Sequence, residues 1–129
     1  MAVELTIVTP SQIAFQGAAD EVQLPGINGE LGVLTGHAAL LTLARPGVVT
    51  VHSGGRTRRM LVGKGVAEVG PQQVTLLVDI CEEPSAVDKE AAKAALDQGW
   101  ADFKASAPGT PERNTAENHI ALQQARLSV

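Results

Sequence analysis

The chain has 129 residues with a formal net charge of −4, and 44% of them are hydrophobic but only 2% aromatic: Phe15, Trp100 and Phe103, with no tyrosine. One domain of ordinary size with room for an appendage fits this length, and folding buries roughly two thirds of the unfolded surface. So few rings and a pI near 5.3 argue against readers of nucleic acid or glycans, which need stacking platforms or a cationic face, and the single Cys81 leaves no intrachain disulfide or cysteine-based zinc cage.

In chain order, MAVELTIVTP has no basic segment followed by an apolar one, so no signal peptide is expected. Val3, Leu5 and Ile7 alternate with Glu4 and Thr6, a strand with one apolar face. Ala18 to Leu24 reads as a strand running into the turn Pro25-Gly26. The 14 residues from Leu31 to Ala44 carry no charge, yet are too short and too polar to span a bilayer. Val48–His52 and Arg56–Val62 flank Ser53-Gly54-Gly55 as a hairpin, and Val66–Val69 and Val74–Ile80 flank Gly70-Pro71 as another. With no helix-length crossover between them, these strands predict an antiparallel sandwich or flattened barrel.

Composition changes at Cys81 to Ser85. Residues 1–83 hold 11 of 13 glycines and 12 of 14 valines, whereas residues 84–129 hold 11 of 19 alanines. Valine with glycine punctuation favours sheet, and alanine without glycine favours helix, so we divide the chain into a β domain over 1–83 and a two-helix hairpin over 84–129. Ser85 and Asp88 have capping-box spacing, and Ala92, Leu96, Trp100 and Phe103 form an apolar stripe behind them. Pro108-Gly109 ends this helix, Thr110-Pro111 starts the next, and Ala116, Ile120 and Leu127 mark its apolar face. Leu96, Trp100, Phe103, Ile120 and Leu127 are the expected packing residues of the hairpin, with the two rings as its anchors.

The residues predict little chemistry. His37, His52 and His119 are not in metal-ligand spacing and are expected as loop or surface histidines. There is no nucleophile elbow, and Asp79, Glu82 and Glu83 surround Cys81 with charge that opposes a thiolate. Gly63-Lys64-Gly65 precedes a strand and not a helix, so it is expected as a bend and not a phosphate loop. Arg56, Arg58, Arg59 and Lys64 are expected to protect a solvated sheet edge. No catalytic residue, metal ligand or cofactor site is therefore assigned. The segment DEVQLPGINGELGVLTGHAALLTLARPGVVTV, Asp20 to Val51, is dense in glycine without acid, base or nucleophile in catalytic spacing. That pattern suits either backbone held for docking or a plain glycine-rich meander.

Within this segment, Glu21, Pro25-Gly26, Gly29-Glu30-Leu31-Gly32, Leu34, Gly36-His37-Ala38, Leu40-Leu41-Thr42-Leu43 and Pro46-Gly47-Val48-Val49 resemble the epsilon subunits of bacterial F-type ATP synthases, equivalent to the mitochondrial delta subunit. GKGVAEVGPQQVTLLVD extends the likeness, while Thr35 and Ala39 stand where the family usually has proline. The resemblance implies a roughly ten-stranded antiparallel β-sandwich followed by a C-terminal helical hairpin. It implies a non-catalytic rotor subunit at the foot of the central stalk, coupling proton-driven rotation of the c ring through gamma to ATP synthesis. Gamma and the c ring are the implied partners, with the alpha and beta subunits reached through the C-terminal helices. The implied location is the cytoplasmic face of the bacterial inner membrane, peripheral to it. Gly29, Glu30, Leu31, Gly32 and His37 are carried over as residues of a loop facing the ring.

Many relatives bind ATP at a sequence (I/L)DxxRA. The matching stretch is Val87-Asp88-Lys89-Glu90-Ala91-Ala92, in which Ala91 replaces the phosphate-binding arginine, so no bound nucleotide is expected. Basic residues of the last helix support inhibition in relatives, and here only Arg126 lies between Asn114 and Val129, so weak or absent inhibition of ATP hydrolysis is expected. The alternative functions are a nucleotide-sensing regulator that inhibits hydrolysis through the hairpin and a small hydrolase using His37 and Glu30.

Overall fold

The structure, a computed structural model, describes residues 2–129. The strands are β1 (Val3–Val8), β2 (Ile13–Ala19), β3 (Glu21–Gly26), β4 (Gly29–Leu34), β5 (Leu40–Ala44), β6 (Gly47–Ser53), β7 (Arg56–Val62), β8 (Gly65–Val69), β9 (Gln73–Val78) and β10 (Cys81–Glu82). A single 3-10 turn, Pro84–Ala86, leads to helices α1 (Lys89–Ala105) and α2 (Pro111–Ser128).

All the strands belong to one sheet folded over on itself into a near-barrel sandwich. β10, β7, β6, β3 and β4 make the first layer, and β5, β8, β9, β1 and β2 the second, joined where Gly26 pairs with Ala44. Pairing is antiparallel as expected except between β1 and β9, which run parallel with Leu5 opposite Val74 and Ile7 opposite Leu76. Periodicity reports which face a strand buries but not its neighbour, and only the folding of the whole sheet brings these two strands together.

Alternation along each strand sends Val3, Leu5, Ile7, Leu24, Val33, Val49, Met60, Val74 and Leu76 into one fully buried cluster. Phe15 packs against its margin, so aliphatic side chains build the interior. Two turns depart from or refine the sequence expectations. Ala18 to Leu24 is broken at Asp20, whose amide donates to the His52 carbonyl (2.7 Å) and whose Oδ2 accepts from the Gly54 amide (3.0 Å). That corner moves the chain from the second layer to the first. Gly63-Lys64-Gly65 is the expected bend between β7 and β8, and a Cβ on Gly65 would fall 1.8 Å from the Leu77 carbonyl oxygen.

The helices lie on the outer face of the first layer, with α2 against β6 and β7. Met60 and Val62 point into the sandwich, so Leu61 between them points out, and it is fully buried outside the main cluster because α2 covers it. The capping box is corrected: Ser85 belongs to the 3-10 turn, and Asp88 is the cap of α1, its Oδ1 accepting from the Ala91 amide (3.1 Å). Thr110 caps α2 as expected, accepting from the Arg113 amide (3.3 Å).

The hairpin seam is also corrected. Trp100 is 41% exposed, and Gly99 takes its place in the buried row with Ala92, facing Ala116 and Ile120. Positions 92, 96, 99 and 103 stay on one side of a helix, whereas 100 drifts off it. Gly99 permits the close crossing, since a Cβ there would lie 3.0 Å from both His119 Cδ2 and Ile120 Cγ1. Trp100 instead stacks edge-on against Phe103 (5.8 Å between centroids, 82° between planes), and the Arg113 guanidinium covers that ring at 3.9 Å. Leu96, Phe103 and Leu127 are half-buried, while Gln123 and Ala125, which the sequence pattern did not single out, are buried in α2.

Gly99→Val is expected to destabilise the chain by about 1–3 kcal/mol through overpacking, and Trp100→Ala by less than about 1 kcal/mol. Urea unfolding followed by far-UV circular dichroism measures both, and the reverse order of costs would return Trp100 to the role of anchor.

Candidate functional site

The sandwich has two outer faces, and the hairpin covers only one. On the other, the residues of the second layer that point away from the core come into register across five strands: Leu43 on β5, Val66 on β8, Leu77 on β9, Val8 on β1 and Ile13 on β2. Leu43, Leu77 and Ile13 are 58%, 51% and 60% exposed. The shift of pairing between Ile7 and Val8 aims Ile13 outward at the end of this row. At its other end the amide of exposed Ile27, in the β3–β4 turn, donates to the Leu43 carbonyl (2.9 Å), so the turn extends the apolar surface. A continuous exposed apolar row of this kind is a candidate surface for covering by a partner. The sequence showed each of these residues, but only the register lines them up.

The five positions singled out by resemblance do not share one loop. Gly29, Glu30, Leu31 and Gly32 are in β4, which pairs only with β3 and so borders the sheet. Leu31 points inward, and Glu30 is exposed with its Oε1 3.9 Å from Arg45 Nη2. His37 lies beyond the opposite end of β4, its amide donating to the Leu34 carbonyl (3.1 Å) and its Nδ1 2.7 Å from the Ala38 carbonyl. From Glu30 to Leu34 alone the strand advances ~13 Å at about 3.3 Å per residue. Glu30 and His37 therefore cannot act on one substrate atom, which removes the hydrolase alternative.

The remaining candidates are structural. His52 Nδ1 meets Thr57 Oγ1 at 3.1 Å, and His119 is not a surface residue but half-buried in the hairpin seam, with Nε2 3.1 Å from the Ala95 carbonyl. Among the described residues no cluster of His, Cys, Asp or Glu is arranged to hold a metal ion. Arg56 to Arg59 lie where β7 has no partner on one side, because β10 pairs only with Leu61 and Val62. Arg58 also bonds Glu83 and covers the Phe15 ring at 5.0 Å.

Cys81 is half-buried, and burial pushes its thiol above the ordinary value of 9.0, with Glu83 and Glu82 raising it further and Arg58 opposing them. A raised folded-state value means that stability is intact below the unfolded thiol's range and declines as pH rises through it. Alkylation by iodoacetamide at pH 8 is expected to be slower in the folded chain than in urea, where the thiol titrates normally; equal rates would contradict the shift.

Residues 2–84 match the family model described as ATP synthase, Delta/Epsilon chain, beta-sandwich domain. An ATP synthase epsilon chain from Synechococcus sp. (strain RCC307) is 36% identical over 130 residues, covering 98% of this chain and 96% of that one. Another, from Rhodopseudomonas palustris (strain BisB5), is 39% identical over 84 residues, 65% of this chain and 62% of that one. Among solved structures, a chain of the Euglena gracilis mitochondrial ATP synthase, in an assembly of OSCP, F1 and c-ring, superimposes with a TM-score of 0.81 at 21% identity, covering 96% of this chain and 78% of that chain. With this sandwich, this hairpin and a relative matched over nearly its whole length, the chain belongs to the delta/epsilon chain family of ATP synthase.

Proposed function

We propose that this chain is the epsilon-type rotor subunit of an F-type ATP synthase, transmitting c-ring rotation through gamma to the catalytic head and performing no chemistry itself. The observation that carries this reading is the uncovered row Leu43, Val66, Leu77, Val8 and Ile13, which we assign to the gamma subunit. Burying such side chains is worth ~1.5–3 kcal/mol each, enough for a few of them to dominate an interface. The β3–β4 border, with Gly29, Glu30, Leu31 and Gly32, is assigned to the c ring. Glu30 and Arg45 are both exposed and barely in ion-pair range, so their pairing contributes little and leaves the carboxylate free for a cation of the ring. His37 is not assigned to that contact: it lies beyond the far end of β4, where the neighbouring Gly36 amide donates to the Pro71 carbonyl of the β8–β9 turn.

Among the described residues no helix is long and apolar enough to cross a membrane. Attachment to the cytoplasmic face of a bacterial inner membrane would then come through the complex. A bound nucleotide is not part of this function: Asp88 is engaged as a helix cap, and Ala91 supplies no guanidinium.

Ile13→Asp with Leu77→Asp is expected to weaken association with gamma at least about a hundredfold while leaving the unfolding midpoint of the isolated chain within a few degrees; undiminished binding would remove this face from the interface. Glu30→Arg should lower proton-driven ATP synthesis by reconstituted enzyme without unfolding the chain, and unchanged coupling would exclude Glu30. Removal of residues 85–129 is expected to change ATP hydrolysis by less than about tenfold, and a larger rise would favour an inhibitory hairpin.

A further inference from the structure

Beside α2, over β6 and β3, the outer face of the first layer carries a cleft of about 460 Å³. Register fixes part of its lining, with Arg59 of β7 opposite Thr50 of β6 and Thr50 opposite Gln23 of β3. The neighbours Val22, Leu24, Val49, Val51 and Met60 are buried in the core, so by alternation these three side chains point outward. The facing wall is the last two turns of α2, where Gln124 stands. Arg45, in the turn between β5 and β6, also lines the cleft, as does Glu30.

In a chain of net charge −4, this cleft has two guanidiniums against one carboxylate. Arg45 and Glu30 approach only to 3.9 Å with both side chains exposed, a contact that a competing anion displaces at little cost. Arg59 has no carboxylate in ion-pair range among the described residues, whereas Arg58 and Arg126 are engaged by Glu83 and Glu82. The carbonyl end of α2 is unfavourable to an anion, so affinity must rest on the two guanidiniums, whose forked donors match phosphate oxygens. Gln23, Thr50 and Gln124 add neutral donors around them. The volume lies in the range of small-molecule sites, about 300–1,000 Å³, and exceeds what a bare phosphate fills.

We propose that this cleft binds a small phosphate-bearing ligand, with Arg45 and Arg59 holding the phosphate oxygens and Gln23, Thr50 and Gln124 completing the shell. The site includes neither Asp88 nor Ala91 and stands independently of the rotor reading.

The experiment titrates the full, nitrogen-15-labelled chain with inorganic phosphate and, at matched ionic strength, with sodium chloride. Saturable shifts are expected at the Thr50 amide and the side-chain amides of Gln23 and Gln124 with phosphate alone. Arg45→Gln and Arg59→Gln are each expected to weaken binding at least about tenfold, with unchanged unfolding midpoints because both side chains are exposed. Gln124→Glu keeps both arginines and is expected to weaken binding similarly by repulsion. A second arm measures sedimentation of the chain with vesicles of phosphatidylglycerol in phosphatidylcholine, against phosphatidylcholine alone. Saturable phosphate shifts assign the site to a free phosphate compound; vesicle binding without them, lost in the same variants, assigns it to a lipid headgroup. No response in either arm, shifts reproduced by chloride, or binding undiminished in Arg45→Gln or Arg59→Gln would each overturn the site.

Discussion

Everything in this chain depends on a sheet that folds over on itself around a core of aliphatic side chains. Val, Leu and Ile at alternate positions fill the space between two layers, and the same alternation obliges the intervening residues to face outward. A closed sandwich therefore has two outer faces to dispose of. One carries Leu61 and is roofed by α2; the other carries Leu43, Val66, Leu77, Val8 and Ile13 and has no roof among the described residues. The partner surface proposed for this chain follows from that asymmetry.

The two faces are built with different chemistry. The roofed one is held by small side chains and a few polar clasps, Arg126 to Glu82 and the neighbouring Arg58 to Glu83. Small residues such as Ala92, Gly99 and Ala116 let the helices approach closely but gain little area per contact. The bare face offers large aliphatic side chains and no clasp.

Particular residues show how far the sequence could be read. The hairpin across Gly54-Gly55, the bend at Gly63-Lys64-Gly65 and the Thr110-Pro111 helix start were legible because each rests on local backbone chemistry. Trp100 fits a stripe at i, i+4, i+8 and i+11 as well as its neighbour does, and the closeness of the helices at Gly99 selects the smaller residue for the seam. Ser85 has the spacing of a cap but does not serve as one, because Pro84 starts a 3-10 turn that ends before α1 begins. Glu30 and His37 look adjacent in a glycine-rich stretch, and a six-residue strand puts them at opposite ends of β4.

The sequence by itself determined the division into sheet and helices, the inward face of most strands, the absence of catalytic spacing and, through its ordered glycine and proline pattern, the family. These properties are local or compositional, and periodicity carries them. Tertiary structure alone decided the parallel pairing of β1 with β9, the alignment of five outward residues into one apolar row, and the meeting of Arg126 with Glu82. Each requires strands or helices distant in the chain to be placed side by side, and register across a folded-over sheet is a property of the whole fold and not of any segment within it.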